Sequence, residues 1–245
     1  MIEIKNLSKA FGGLRAVNDV SFEVKEKSIV ALIGPNGAGK STILNLISGN
    51  LIGDEGEILF LGENLMGRSI QEIVRKGIGR TFQTPAVFLQ LTALENVMAT
   101  LIPHRKRTYS LLSRVPAGIE QEARTLLDYF GIGSYAGEQG KNLAHGDQRR
   151  LELAMCLAME PVLLLLDEPT QGMSNYETRQ FISDIKEINR KRGVTILLVE
   201  HDMSVVFSIS DQVIVLNRGI LLASGTPQEV KANAAVREAY LGDEG

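Results

Sequence analysis

The sequence has no tryptophan, one cysteine among 245 residues, and only 5% aromatic side chains. A single thiol excludes an internal disulfide framework and fits a reducing compartment. Cys156 lies in the apolar helical pattern Leu153-Ala154-Met155-Cys156-Leu157, where packing is expected rather than reactivity. No apolar run approaches the roughly 20 residues needed to span a bilayer. The amino end, Met1-Ile2-Glu3-Ile4-Lys5, lacks the basic and apolar regions of a signal peptide. A membrane role is therefore expected to come through a partner. Charge of one sign is also scarce: the net charge is −3 with 22% charged residues, which argues against nucleic acid as the main partner. Internal repeats and low-complexity stretches are absent too. Apolar residues, at 44%, are plentiful, enough for one large domain or a domain with an inserted lobe.

The most informative stretch is Gly34-Pro35-Asn36-Gly37-Ala38-Gly39-Lys40-Ser41-Thr42. It follows the apolar run Ile29-Val30-Ala31-Leu32-Ile33, read as a buried strand, and precedes Ile43-Leu44-Asn45-Leu46-Ile47, read as a helix. Glycines at such a turn let successive N–H groups point inward and admit a phosphate closely. The helix start adds unpaired donors and the positive end of its dipole. Lys40 supplies a point charge for β- and γ-phosphates, and the Ser41 hydroxyl suits Mg²⁺. This is the pattern of a nucleoside triphosphate site.

Around it the chain alternates. Ile2-Glu3-Ile4 and Val20 to Val24 read as half-exposed antiparallel strands, Glu57 to Leu61 and Ile78 to Phe82 as further strands, and Ile70 to Lys76 as a short helix. From Gln83-Thr84-Pro85 to about Pro161 the pattern turns helical. Thr92-Ala93-Leu94-Glu95 has capping spacing, and Ile119, Ala123, Leu126, Leu127 and Phe130 make an amphipathic face. The basic run His104-Arg105-Lys106-Arg107 reads as a solvated connection, or as a site for a partner or anionic headgroups. Strands return at Val162 to Leu166, Val194 to Val199 and Gln212 to Leu216, with helices between them and Thr226-Pro227-Gln228-Glu229 opening a carboxy-terminal helix. The expected fold is an α/β core with an antiparallel β portion and an inserted helical segment. The continuous apolarity of Leu163 to Leu166 implies a parallel sheet buried on both faces, and that strand ends in Asp167-Glu168. A strand tip is where an open α/β sheet presents ligand groups. Asp167 suits Mg²⁺, directly or through water, and Glu168 suits a general base for an attacking water.

Gly34 to Thr42, Gln83, Leu143-Ala144-His145-Gly146-Asp147, Asp167-Glu168 and His201, in that order, resemble the motif set of ABC transporter ATPases. In that family these are the Walker A loop, Q-loop, signature, Walker B strand with its catalytic Glu, and H-loop. The resemblance spans essentially all of residues 1–245. It implies a P-loop NTPase (RecA-like) core over about 1–84 and 160–245, with a helical subdomain over about 85–159. It further implies that Phe11 stacks on adenine, that Gln83 meets Mg²⁺ or the attacking water, and that His201 contacts the γ-phosphate. The cofactors implied are ATP and Mg²⁺. Ala144, Gly146 and Asp147 would face the nucleotide of a partner, though Ala144 stands where the family has Ser, and His145 and Asp147 where it has Gly and Gln. The signature is therefore expected to close on ATP mainly through its backbone. Ser174, in Met173-Ser174-Asn175, stands where many members carry Asp in the D-loop.

Gly79-Arg80-Thr81-Phe82-Gln83, Leu143 to Glu152 as a whole, Gly172-Met173-Ser174, Val199 to Met203 and Glu238-Ala239-Tyr240-Leu241-Gly242 resemble ATPases of branched-chain amino acid importers, a type shared by uptake systems for other hydrophobic amino acids, amides and urea. The resemblance implies a head-to-tail dimer, with itself or a paralogous ATPase, and two ATPs between the subunits. Integral membrane permease subunits and, indirectly, a solute-binding protein would be partners, at the cytoplasmic face of the inner membrane. The alternatives are a lipopolysaccharide-type export ATPase, a non-transport ABC ATPase acting on nucleic acid or ribosomes, and a nucleotide-binding scaffold with little turnover.

Overall fold

A computed structural model describes residues 1–104 and 117–241; Arg105, Lys106 and Arg107 of the basic run, and Gly242, lie outside them. The chain divides into two compact units, one of Met1–Arg80, Val162–Pro169 and Ile185–Gly245, the other of Thr81–Pro161 and Thr170–Asp184.

The first unit holds two sheets. Strands β1 (Ile2–Phe11) and β2 (Leu14–Val24) form an antiparallel hairpin across Gly12-Gly13, with Ile2 opposite Val24 and Phe11 opposite Leu14. Ile2 and Ile4 point inward while Glu3 and Lys5 face solvent, the period-2 pattern of a one-sided sheet. The second sheet contains β3 (Ile29–Ile33), and β4 (Glu55–Phe60) and β5 (Glu63–Asn64) complete the first in the order β2-β1-β4-β5. Beside β3 run β6 (Ile78–Arg80), β7 (Leu163–Asp167), β8 (Thr195–Val199), β9 (Gln212–Asn217) and β10 (Ile220–Gly225), in the order β10-β9-β3-β8-β7-β6. All neighbours there are parallel except the β9–β10 edge pair. Every residue of β3, β7 and β8 is buried, as the unbroken apolar runs require.

Helix α1 (Lys40–Ile47) lays Ile43, Leu44 and Ile47 into one core with Ile2, Ile4 and Phe60 of the first sheet and Val30, Leu32 and Leu165 of the second. Each such side chain contributes about 1.5–3 kcal/mol on burial. Helix α2 (Ile70–Arg75) starts under a reciprocal Ser69–Glu72 capping box.

The second unit is helical. Its elements are α3 (Ala93–His104), α4 (Ala117–Tyr129), α5 (His145–Ala158) and the first part of α6 (Asn175–Arg192). Val97 and Leu101 of α3 are buried, as are Ile119, Ala123, Leu126 and Leu127 of α4 with Phe130 just beyond it, and Leu153 and Leu157 of α5. Glu95 and Thr92 exchange the capping hydrogen bonds that the sequence spacing predicts. Cys156 is buried in α5, and burial pushes its thiol far up, which leaves it inert. The helical unit begins at Thr81 and takes in Thr170–Asp184, whereas the sequence pattern places the insert over about 85–159. Arg150 of α5 reaches Asp184 at 3.3 Å and also bonds Gln180, which ties the first half of α6 to α5. The chain closes with α7 (Met203–Ile209), capped by Asp202, then α8 (Pro227–Ala232), capped by Thr226 and Glu229, and α9 (Ala234–Leu241). Among the described residues no helix is long and apolar enough to cross a membrane.

Candidate functional site

The chain leaves the sheet at Ile33, turns through Gly34–Gly39 and enters α1 at Lys40. Gly39 is the N-cap, at φ 101°, and no side chain caps the helix. A Cβ there would lie 2.4 Å from the Ala16 carbonyl oxygen, and one at Gly34 would lie 2.3 Å from that of Leu216. The turn is thus clamped between the backbones of β2 and β9, and these positions admit glycine alone. Asn36, Gly37 and Ser41 are exposed, whereas Ala38 and Lys40 are buried and Pro35, Gly39 and Thr42 half-buried. The Lys40 ammonium donates to the Gly34 carbonyl (2.7 Å) and the Pro35 carbonyl (3.0 Å), which folds it over the turn. Burial lowers its pKa, and the charges of Glu168 and Asp167 oppose that shift.

Both acids come from the end of β7. Asp167 is buried, and Arg80 at the end of the neighbouring β6 donates to its Oδ2 at 3.2 Å. The same guanidinium donates to Asn45 Oδ1 (2.7 Å) and Ser48 Oγ (2.6 Å), so one side chain joins β6, β7 and the α1 segment. Burial pushes the Asp167 carboxyl up, Arg80 pulls it down, and neighbouring Glu168 pushes it up again. Glu168 takes a left-handed φ of 46°, uncommon for a non-glycine residue, while its N–H bonds the Val199 carbonyl at 3.0 Å. That bend turns the side chain toward His201, whose Nδ1 lies 3.9 Å from Glu168 Oε2. Lys40, Asp167, Glu168 and His201 therefore gather in the first unit, at the carboxyl ends of parallel strands. Phe11 sits at the tip of β1, 46% exposed, with the Lys9 ammonium 5.6 Å from its ring centroid. Asp54 holds that tip by accepting from Lys9 Nζ and the Ala10 N–H, both at 2.7 Å.

The remaining expected residues lie in the second unit. Gln83 donates to Gln171 Oε1 at 3.2 Å. Ala144 is the N-cap of α5 in extended conformation and makes no side-chain cap bond. Gly146 is buried, and a Cβ on it would lie 2.6 Å from Glu177 Oε1. Asp147 sits in the first turn, 3.9 Å from Arg150, and burial raises its pKa. The His145 ring packs against Gly172, 3.4 Å from where a Cβ would stand. Ser174 caps α6, exchanging hydrogen bonds with Glu177.

Sequence reasoning missed the roles of Arg80, Arg149 and Glu152. Arg149 and Glu152 are buried on α5 and bond the main chain around Gln83. The signal was present: 149, 152 and 156 share a helix face, and Cys156 marks it as the buried one.

The family model described as ABC transporter matches residues 17–171, and one described as Branched-chain amino acid ATP-binding cassette transporter matches residues 221–245. The chain is 41% identical to the high-affinity branched-chain amino acid transport ATP-binding protein LivG of Salmonella typhimurium, over 99% of this chain and 98% of that one. It is 39% identical to BraF of Pseudomonas aeruginosa, which bears the same description, over the same shares. The lipopolysaccharide export system ATP-binding protein LptB of Haemophilus influenzae is 32% identical, over 100% of this chain and 98% of that protein. Among solved structures, an ATP-binding cassette of an ABC transporter in its ADP conformation superposes with a TM-score of 0.88, at 28% identity and coverage of 99% and 98%. A dimeric bacterial ABC transporter cassette superposes at 0.80, with 27% identity and coverage of 93% and 99%. The fold is that of a P-loop NTPase, and with a family model over most of its length and relatives near 40% identity end to end, this chain belongs to the ABC transporter ATP-binding proteins.

Proposed function

We propose that this chain hydrolyses ATP to power an importer of branched-chain or other hydrophobic amino acids, amides or urea. It would act as a peripheral subunit on the cytoplasmic face of the inner membrane. The observation that carries the hydrolytic part is the convergence of Lys40, Asp167, Glu168 and His201 at the carboxyl ends of the parallel strands. The amino acid class rests on the LivG and BraF relatives and on the match of the carboxy-terminal segment.

The exposed Ser41 hydroxyl and the Asp167 carboxylate are hard oxygen donors of the kind Mg²⁺ takes, with Gln83 as a further candidate. Among the described residues no three His, Cys, Asp or Glu side chains gather to hold a metal alone. Bound there, Mg²⁺ would neutralise charge on the β- and γ-phosphate oxygens. Lys40, tethered only by carbonyls, can exchange them for phosphate oxygens, and the open N-terminus of α1 offers backbone N–H groups to the same anion. Glu168 accepts the proton of the attacking water, while His201 beside it orients the γ-phosphate. Phe11 stacks on the adenine.

A second subunit, identical or paralogous, would present Ala144, Gly146 and Asp147 to the far side of the nucleotide. ATP bridging two subunits stabilises the closed state, and hydrolysis removes the bridge. Exposed Phe82, Phe88 and Leu89 of the helical unit offer apolar surface to the permease subunits. Glu168→Gln is expected to keep ATP affinity, lose about a hundredfold or more in turnover and accumulate a closed dimer on gel filtration. Wild-type turnover would remove Glu168 from the role of base. The LptB relative supports lipopolysaccharide export as a second reading. Co-purification from membranes decides, because the importer requires amino acid permease subunits to accompany the chain.

A further inference from the structure

We propose that Arg149 and Glu152 are positioning residues for Gln83: a buried ion pair on α5 that grips the main chain around Gln83 and fixes it to the helix whose first turn carries the signature. Their side chains are 1% and 4% exposed and 3.2 Å apart. Such a pair loses several kcal/mol of hydration, and apolar residues of the same size would fill the space at lower cost. What the pair bonds to therefore indicates its use. Two terminal nitrogens of Arg149 donate to the Phe82 and Gln83 carbonyls. Glu152 Oε1 accepts from the Phe82 and Ala86 N–H groups, each at 3.1 Å.

The pair thus satisfies donors and acceptors of one loop from one helix face. Residues 82–84 are exposed and belong to no strand or helix, so no ladder orders their backbone. With that backbone held, the Gln83 side chain has only its own rotamers to order when it meets the nucleotide site. α5 starts at His145, so the grip on Gln83 and the signature turn are separated by about 6 Å of rigid helix. A displacement at either one is carried to the other.

This inference rests on the assignment of Gln83 to the nucleotide site, and the test separates the two. Arg149→Met/Glu152→Met, in the full chain, removes the charges and keeps the volume. Amide exchange at Phe82 and Ala86 should rise about tenfold or more while Leu153 and Leu157 stay protected. The kcat for ATP should fall about tenfold with KM changed less than about twofold. The same double substitution placed on Gln83→Ala should cost no further activity, because its effect runs through that side chain. Unchanged exchange at Phe82 and Ala86 would overturn the grip, and an undiminished loss on the Gln83→Ala background would overturn its purpose. Gln83→Ala that turns over at the wild-type rate would defeat both the assignment of Gln83 and the positioning built on it. Should the double variant fail to fold, Glu152→Met alone removes the acceptor of both N–H groups and should still raise exchange at the same two amides.

Discussion

Helices α1 and α5, one in each unit, begin differently from α2, α3, α6, α7 and α8. The latter start under Ser69, Thr92, Ser174, Asp202 and Thr226, whose side chains accept from the first turn. The former start behind Gly39 and Ala144, with no side-chain cap. A cap occupies N–H groups that an anion would otherwise take, so leaving two helix starts open costs stability and keeps donors available. The two open ends also differ from each other. At α1 the obstacle to any larger residue is backbone carbonyl, whereas at α5 it is the movable end of Glu177. The α1 turn is bounded by main chain, and the α5 turn by a side chain that Ser174 holds in place.

The sharpest way to break this comparison is Gly39→Ala, which meets the Ala16 carbonyl and a φ of 101° together. It should cost about 2 kcal/mol or more in a denaturant titration and abolish nucleotide binding measured by fluorescence titration. Normal ATP affinity in that variant would show that the turn is less constrained than its contacts imply. Ala144→Ser adds a capping hydroxyl to the other open end and should change turnover by less than about threefold, if the proposed contact to nucleotide there runs through the backbone. A hundredfold change in a phosphate-release assay would instead make that side chain a direct ligand. The smallest effect concerns acid. Hydrogen bonds from the N-cap residues hold Glu72, Glu95, Glu177 and Glu229 below the ordinary glutamate range. A depressed carboxylate stabilises the fold above its unfolded value, near pH 4.3, and that contribution disappears as pH falls through the folded value. Amide protection in the first turns of α2, α3, α6 and α8, referenced to the intrinsic exchange rate at each pH, should therefore fall on acidification, with no matching fall at α1 and α5.

Much of the fold was legible because its signals are local. Four- and five-residue apolar runs marked the buried strands, and Thr92 with Glu95 or Thr226 with Glu229 marked helix starts within one turn. The glycine-rich turn between β3 and α1 and the acidic end of β7 were legible for the same reason. Ser174 shows where a motif reading stops short: named as a departure from the family's Asp, it is also the N-cap of α6, a spacing plain in Ser174-Asn175-Tyr176-Glu177. The extent of the helical unit was harder, since Thr170–Asp184 joins it through contacts distant in sequence, such as Gln83 with Gln171 and Arg150 with Asp184.

The chain by itself determined its strands, its helix caps, its glycine-rich turn and its acid-tipped strand, because each is written within a few neighbouring residues. Only the tertiary structure decided what Arg80, Arg149 and Glu152 are for. Arg80 finds Asp167 87 positions away, and Arg149 and Glu152 find the Gln83 loop 66 to 70 positions away. A buried charge must take its partners from whatever close packing brings beside it, and packing joins residues that no short pattern connects.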